Sequence, residues 1–224
     1  MRTFAIGDVH GCLDTLITLL DLLQPRPEDR IVFLGDYVDR GPDSRRLIDW
    51  LIAESNRREL VTLRGNHEIM MLESRYSPLL YHNWLACGGI ATLESYGWDG
   101  TQDWQELIPN GHWEFLARTQ AWLETEDCIF VHATAVPDLH MHEHDDMQLF
   151  WDKCSELPPH RSGKRVIVGH TRQTSGLPRR FEGGVCIDTA AVSGHWLTCF
   201  DVESGEYWQA NTEGGTRADR LADW

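Results

Sequence analysis

The sequence predicts an α/β fold that gathers its chemistry along one edge of a sheet. Two observations carry that expectation. Short apolar runs rich in β-branched residues alternate with helical patterns early in the chain, as in βαβ units. Five such runs end at a polar residue able to bind a metal, four of them with Gly directly before it. Ligands of α/β sheets collect at the carboxyl ends of strands, so the five endings are expected to meet.

Taken in order, Phe4–Ile6 reads as a strand that runs into Gly7-Asp8-Val9-His10-Gly11. Leu13, Leu16, Ile17, Leu20 and Leu23 then follow a 3.6-residue period, which predicts a helix. Ile31–Leu34 is the second strand, ending at Gly35-Asp36, and Leu47, Trp50 and Leu51 mark the next helix. Leu60–Leu63 runs into Arg64-Gly65-Asn66-His67. The stretch YHNWLACGGIATLESYG, residues 81–97, reads as helical, and five of the ten tryptophans fall between Trp84 and Trp122. These aromatics are expected in the core or under long loops, with groove lining as the alternative. Cys128–Val131 ends at His132, and Val166–Val168 ends at Gly169-His170. The tail after Asn211, TEGGTRADRLADW, is polar and is expected to be poorly ordered apart from Leu221 and Trp224. No repeat, low-complexity tract or linker interrupts the 224 residues, so they read as a single domain.

The strand endings supply Asp8, His10, Asp36, Asn66, His132 and His170. A mixed oxygen and nitrogen set without thiolate suits Mn, Fe or Zn better than Ca or Mg. Six ligands exceed what one catalytic ion with an open position takes. They suit two ions if one carboxylate bridges, and two ions clamp an in-line displacement at phosphorus. A lone D-x-H or GNH is most often a turn, so the joint pattern carries the expectation.

The net charge of −15 comes from 35 acidic against 20 basic residues. Such a surface repels nucleic acid and anionic membranes, and neither is an expected partner. A metal cluster inverts that field locally, so an anionic substrate remains open. The six cysteines form no C-x-x-C pair, and Cys128, Cys186 and Cys199 lie in apolar runs, which points to buried free thiols. Met1–Ile6 is already strand-like, and Asp14, Asp21 and threonines interrupt Leu13–Leu23. Neither a signal peptide nor a membrane span is expected, and the cytoplasm is the expected compartment.

GDVHG (7–11), GDYVDRG (35–41) and GNHE (65–68) resemble the three signature blocks of PPP-type serine/threonine protein phosphatases, within the calcineurin-like metallophosphoesterases. The resemblance extends over roughly residues 3–210 and is strongest to the compact bacterial and bacteriophage members. It implies two β-sheets packed face to face with helices outside, a four-layer sandwich. It also implies that Asp8 and His10 hold one ion, that Asn66, His132 and His170 hold the other, and that Asp36 bridges. Manganese is the first expectation for both, with iron or zinc as alternatives. His67 would be the general acid, hydrogen-bonded to Asp39, whose charge would raise the imidazole pKa. Arg40 and Asn66 would bind phosphate oxygens, with Arg64 beside them. The chemistry implied is direct attack of metal-bound hydroxide on phosphorus, with no phosphoenzyme.

The sequence departs from the family pattern in places. His132 is followed by Ala133-Thr134 rather than by a Gly-containing turn. Where the family places a second phosphate-binding Arg, this chain reads Trp151-Asp152-Lys153, so Lys153 would offer a point charge instead of a fork. Arg172 is a further candidate. The family's IDTGA reads here as Ile187-Asp188-Thr189-Ala190-Ala191, with a Gly lost. His140, His142 and His144 sit among Glu143, Asp145 and Asp146 and read as a solvated loop.

Three functions compete. A phosphatase acting on phosphoserine or phosphothreonine proteins, with phosphotyrosine or a small phosphoester as further substrates, is favoured by Asp39, Arg40, His67 and Glu68. A symmetrical diadenosine tetraphosphate hydrolase is the alternative. A catalytically silent metal-binding module would have lost a ligand or His67, and neither is lost.

Overall fold

The computed structural model describes residues 1–224. Strands β1 (Thr3–Ile6), β2 (Arg30–Phe33) and β3 (Leu60–Thr62) run parallel. In the second sheet β4 (Trp122–Glu124), β5 (Cys128–Val131), β6 (Arg165–Val168), β7 (Arg179–Phe181) and β8 (Gly184–Cys186) take the order β4-β5-β6-β8-β7. The chain then returns to the first sheet. β9 (Leu197–Asp201) pairs antiparallel with β1, and β10 (Glu206–Ala210) and β11 (Thr216–Arg220) follow, giving the order β11-β10-β9-β1-β2-β3.

Side-chain alternation makes these sheets face each other. Ala5, Val32, Leu34 and Leu63 from one sheet meet Cys128, Phe130, Ile167, Val185 and Ile187 from the other. The opposite faces are buried too. Phe4, Ile6, Ile31 and Phe33 pack under helices α1 (Leu13–Leu23) and α2 (Ser44–Ser55). Ile129, Val131, Val166 and Val168 are covered by Met141, Leu149, Phe150, Cys154 and Leu157. Strands buried on both faces read as unbroken apolar runs, which is why β1, β2, β5 and β6 were visible in the sequence; β3, at the sheet edge, is half-buried. The four-layer sandwich implied by the resemblance is the observed fold, with one difference. The outer layer of the second sheet is an irregular excursion with one short helix, not a helical layer.

Register sets the site. Phe4 lies beside Ile31, and Ile31 beside Leu60, so β1 to β3 end level. Val131 lies beside Val168, and the Gly169 N–H donates to the His132 carbonyl at 2.9 Å. The loops carrying Asp8, Asp36, Asn66, His132 and His170 therefore leave one edge of the sandwich together.

Between β3 and β4 lie α3 (Asn66–Glu73), α4 (Pro78–Trp84), α5 (Ile90–Ser95), α6 (Trp104–Leu107) and α7 (Asn110–Arg118); α8 (Asp146–Phe150) follows β5. The segment from residue 81 to 97 is helical as expected, but it is not a continuous α-helix. A π-helical stretch, Leu85–Gly89, joins α4 to α5, and Gly88 within it has φ +118°. The polar tail also differs from expectation. Residues 216–220 pair with β10, and Trp224 packs edge-on against Phe200 while its indole donates to the Val202 carbonyl. All six cysteines are free, and five of them are buried. No helix is long and apolar enough to cross a membrane.

Candidate active site

Five of the predicted side chains are aimed by sharp turns in the loops that follow strands. His10, Asp36, Asp39, Arg40 and His170 all have φ between +46° and +73°. Left-handed backbone is costly for residues with a Cβ and concentrates at functional sites. Gly65 is required for a different reason, since a Cβ there would overlap the Asp36 carboxylate. Glu68, in the first turn of α3, accepts the backbone N–H groups of Asp36, Tyr37, Val38 and Gly65 and so ties the second loop to the third.

The imidazoles are oriented by backbone carbonyls. His10 and His132 donate Nδ1–H to Val38 and Leu34 at 2.8 Å, and His170 donates Nε2–H to Trp151 at 2.9 Å. In each ring the other nitrogen then carries a lone pair. His132 Nε2 and His170 Nδ1 both lie 3.1 Å from Asn66 Oδ1. Three acceptors converge on one point, an arrangement completed by a cation. Donor atoms of Asp36, His132 and His170 form one tight group, and those of Asp36, His10 and His67 form another. Asp36 is common to both, as a bridging ligand requires. Asp8 stands slightly apart. Its carboxylate accepts the His170 N–H and faces Asp188.

The electrostatics fit metals as well. Burial, then repulsion from Asp188 and Asp36, raises the Asp8 carboxyl well above its ordinary range. Burial and Glu68 do the same to Asp36, while burial takes Asp188 to about 6 and Glu68 to about 7. Four buried carboxyls in one place are unfavourable unless cations sit among them. Burial also lowers His10 and His132 well below the usual imidazole range, leaving them neutral as ligands must be.

Asp39 and His67 meet at 2.6 Å, from Oδ2 to Nδ1. The expectation that Asp39 raises the imidazole pKa is not met. Burial, then Arg40 and His170, pushes His67 down to about 2, and burial takes Asp39 up to about 7. Desolvation outweighs the pair attraction here.

Arg40, Lys153 and Arg172 are exposed and line one cleft of about 470 Å³ with Asp36, Asn66, His67 and His170. Arg40 Nη1 donates to His10 Nε2 at 2.7 Å. Arg64 is not part of this cleft. Its guanidinium donates to the Ala117 and Thr119 carbonyls and to the Thr119 hydroxyl, so it is spent on the end of α7 and is not free for phosphate. His140 and His142 stack in solvent, their planes 9° apart, away from the cleft.

A family profile described as calcineurin-like phosphoesterase matches residues 1–176. The chain belongs to the calcineurin-like phosphoesterase family. A symmetrical bis(5'-nucleosyl)-tetraphosphatase of Methylobacillus flagellatus is 41% identical over 73 residues, 32% of this chain and 26% of that protein. The match thus spans about a quarter of the curated relative's length. Among solved structures, a protein provisionally named a diadenosine tetraphosphatase covers 100% of this chain and is itself covered to 95%, with TM-score 0.68 and 17% identity. A serine/threonine phosphatase of Saccharomyces cerevisiae covers 99% of this chain and is itself covered to 79%, with TM-score 0.62 and 15% identity. At these identities the structures speak for the fold alone.

Calcineurin-like phosphoesterases use a dinuclear divalent metal centre, and the donor set of this phosphoesterase fits one. Two groups escaped the sequence reading. Glu68 and Asp188 stand inside recognised blocks but carried no spatial assignment. Trp84 and Thr92, which bond to Asp39 from 45 and 53 residues away, left no local signal.

Proposed function

We propose that this phosphoesterase hydrolyses a dinucleoside tetraphosphate, splitting the central phosphoanhydride into two nucleoside diphosphates. The observation that carries the reading is the row of three exposed cations, Arg40, Lys153 and Arg172, in one cleft with the metal-ligating side chains. Arg40 and Lys153 fill the two positions that the family pattern gives to phosphate-binding arginines, and Arg172 adds a third cation to the cleft. A chain of phosphates needs cations distributed along it. The tetraphosphatase name carried by the curated relative supports the same substrate class.

In this reading Asp8, His10 and Asp36 would hold one divalent ion, and Asp36, Asn66, His132 and His170 would hold the second; manganese is the first candidate, with iron and zinc next. The ions, when bound, lower the pKa of water and neutralise charge developing at phosphorus. The chain's own groups do the rest. Arg40 grips non-bridging oxygens with its fork of donors, Lys153 and Arg172 seat the neighbouring phosphates, and Asn66 orients the reacting one. Phosphate charge in the cleft and the Asp39 carboxylate both favour the imidazolium against burial, and in that form His67 gives its Nε2 proton to the leaving oxygen while Asp39 accepts Nδ1–H and fixes the ring.

A second reading, phosphoprotein phosphatase, is favoured by the Asp39–His67 pair itself. A serine alkoxide leaves poorly without a proton, whereas a nucleoside diphosphate leaves as a stable anion. The deciding assay strips the protein with chelator, restores Mn²⁺, and supplies diadenosine tetraphosphate and a phosphoserine peptide in parallel. ADP as the sole nucleotide product is the expected result. Phosphate release from the peptide with the dinucleotide left intact would replace this reading with the second.

A further inference from the structure

Asp39 is tied on more sides than its role as a partner of His67 requires. Its Oδ1 accepts the Thr92 hydroxyl at 2.7 Å and the Trp84 indole N–H at 2.9 Å. The same indole N–H reaches Oδ2 at 3.0 Å, the oxygen that meets His67 Nδ1. The Asp39 backbone N–H in turn donates to Thr92 Oγ1 at 2.8 Å and to Ser44 Oγ at 3.2 Å. All of these groups are buried, and Trp84 and Thr92 have no exposed surface. An indole N–H only donates, and the Thr92 proton is spent on Oδ1. Both Asp39 oxygens thus act as acceptors, which favours Nδ1–H on the imidazole and opposes the pull of burial toward the neutral acid.

The backbone that presents these groups is equally specific. Asp39 and Arg40 are consecutive left-handed residues, with φ +73° and +69°. The Arg40 N–H donates to the Gly88 carbonyl at 3.1 Å, and a Cβ on Gly88 would stand 2.7 Å from Arg40 Cγ. A Cβ on Gly89 would press into the Trp84 ring at 2.6 Å. The π-helical stretch Leu85–Gly89 thus lets one helical segment place Trp84 and Thr92 on either side of the Asp39 carboxylate, with Gly88 under the Arg40 backbone.

We propose that Trp84 and Thr92 are positioning residues for proton transfer, clamping the Asp39 carboxylate as the acceptor for Nδ1–H so that the His67 imidazolium is held with its Nε2–H aimed at the leaving oxygen. Neither touches substrate. The proposal rests on the reading that His67 is the proton donor. It adds that the W-x3-G-G-x2-T segment, residues 84–92, is part of the proton-transfer apparatus and not merely core.

The test uses the Mn²⁺-loaded protein and a pair of phosphate monoesters, an aryl ester whose phenolate leaves readily and an alkyl ester whose alkoxide does not. Only the second depends on a proton donor. His67→Asn sets the scale, with an expected loss of about 10²-fold or more in kcat on the alkyl ester and a much smaller loss on the aryl ester. Trp84→Phe and Thr92→Val are expected to reproduce that split, losing at least about tenfold more on the alkyl ester than on the aryl ester, with bound metal unchanged. Thr92→Ser keeps the hydroxyl and is expected to restore the alkyl rate. Should Trp84→Phe fail to fold, the near-isosteric Thr92→Val decides alone. Equal losses on both esters in the Thr92 and Trp84 variants, beside a clear split in His67→Asn, would overturn the clamp and leave the His67 reading intact. A flat response in His67→Asn would overturn the His67 reading and the clamp with it.

Discussion

At the scale of single residues, the site is made from strained positions held by their neighbours. Five of the eight non-glycine residues with left-handed backbone belong to it. His10, Asp36 and His170 were legible as chemistry because they stand at strand ends, and Asp39 and Arg40 through the family resemblance, but the conformation of none of them was. Ala190 is the informative exception. It stands where the resemblance places Gly, and it has φ +60° and ψ +45°. The left-handed conformation costs an alanine about 1–2 kcal/mol, partly offset by the greater entropy Gly loses on folding. Ala190→Gly is expected to stabilise the protein by about 0.5–1 kcal/mol, read as a higher urea midpoint with an unchanged slope. Asp36→Asn is expected to weaken both ions at once, and metal analysis showing full occupancy would remove its bridging role. Lys153→Ala and Arg172→Ala should each raise KM for the tetraphosphate by about tenfold and affect a simple monoester far less. Equal effects on the two substrates would argue against a phosphate row.

At the scale of elements, β1, β2, β5 and β6 could be read because burial on both faces leaves no polar alternation to confuse them. β11 could not be read. Its side chains are largely exposed and polar, and it is held by ladder hydrogen bonds to β10 and by Trp224 at the corner. Pairing with a distant partner decides such a strand, and the local sequence carries no trace of it. The same holds for the segment spanning residues 81–97, whose helical period was visible while the function of its kink was not. Helix α3 offers a test of how loops are braced. Glu68 accepts two backbone N–H groups on each carboxylate oxygen. Glu68→Gln turns one oxygen into a donor and strands two buried N–H groups, at a cost of at least about 2 kcal/mol. Denaturant unfolding would register the loss, and a change within error would show that water replaces the missing acceptor.

At the scale of the whole molecule, the candidate metal ligands come from both sheets. The first supplies Asp8, His10, Asp36 and Asn66, and the second supplies His132 and His170. Ions bound there stabilise the folded chain by linkage, about 2.7 kcal/mol for each site at a hundredfold excess over Kd. Chelation is expected to lower Tm in calorimetry, and restored Mn²⁺ to recover it. An identical Tm with and without metal would mean that the sheets do not depend on the centre. The strand order has another outcome, which concerns synthesis. β1 lies between β2 and β9, whose residues are about 30 and about 200 in the sequence. At about 5–20 residues per second, β1 waits roughly 10–40 s after leaving the ribosome with one edge unpaired. The family profile ends at residue 176, before the strand that covers this edge. A nascent chain arrested there should remain open to protease and to chaperones that bind extended apolar segments, while release of the last fifty residues or so closes the edge and, with it, the loop that carries Asp8 and His10.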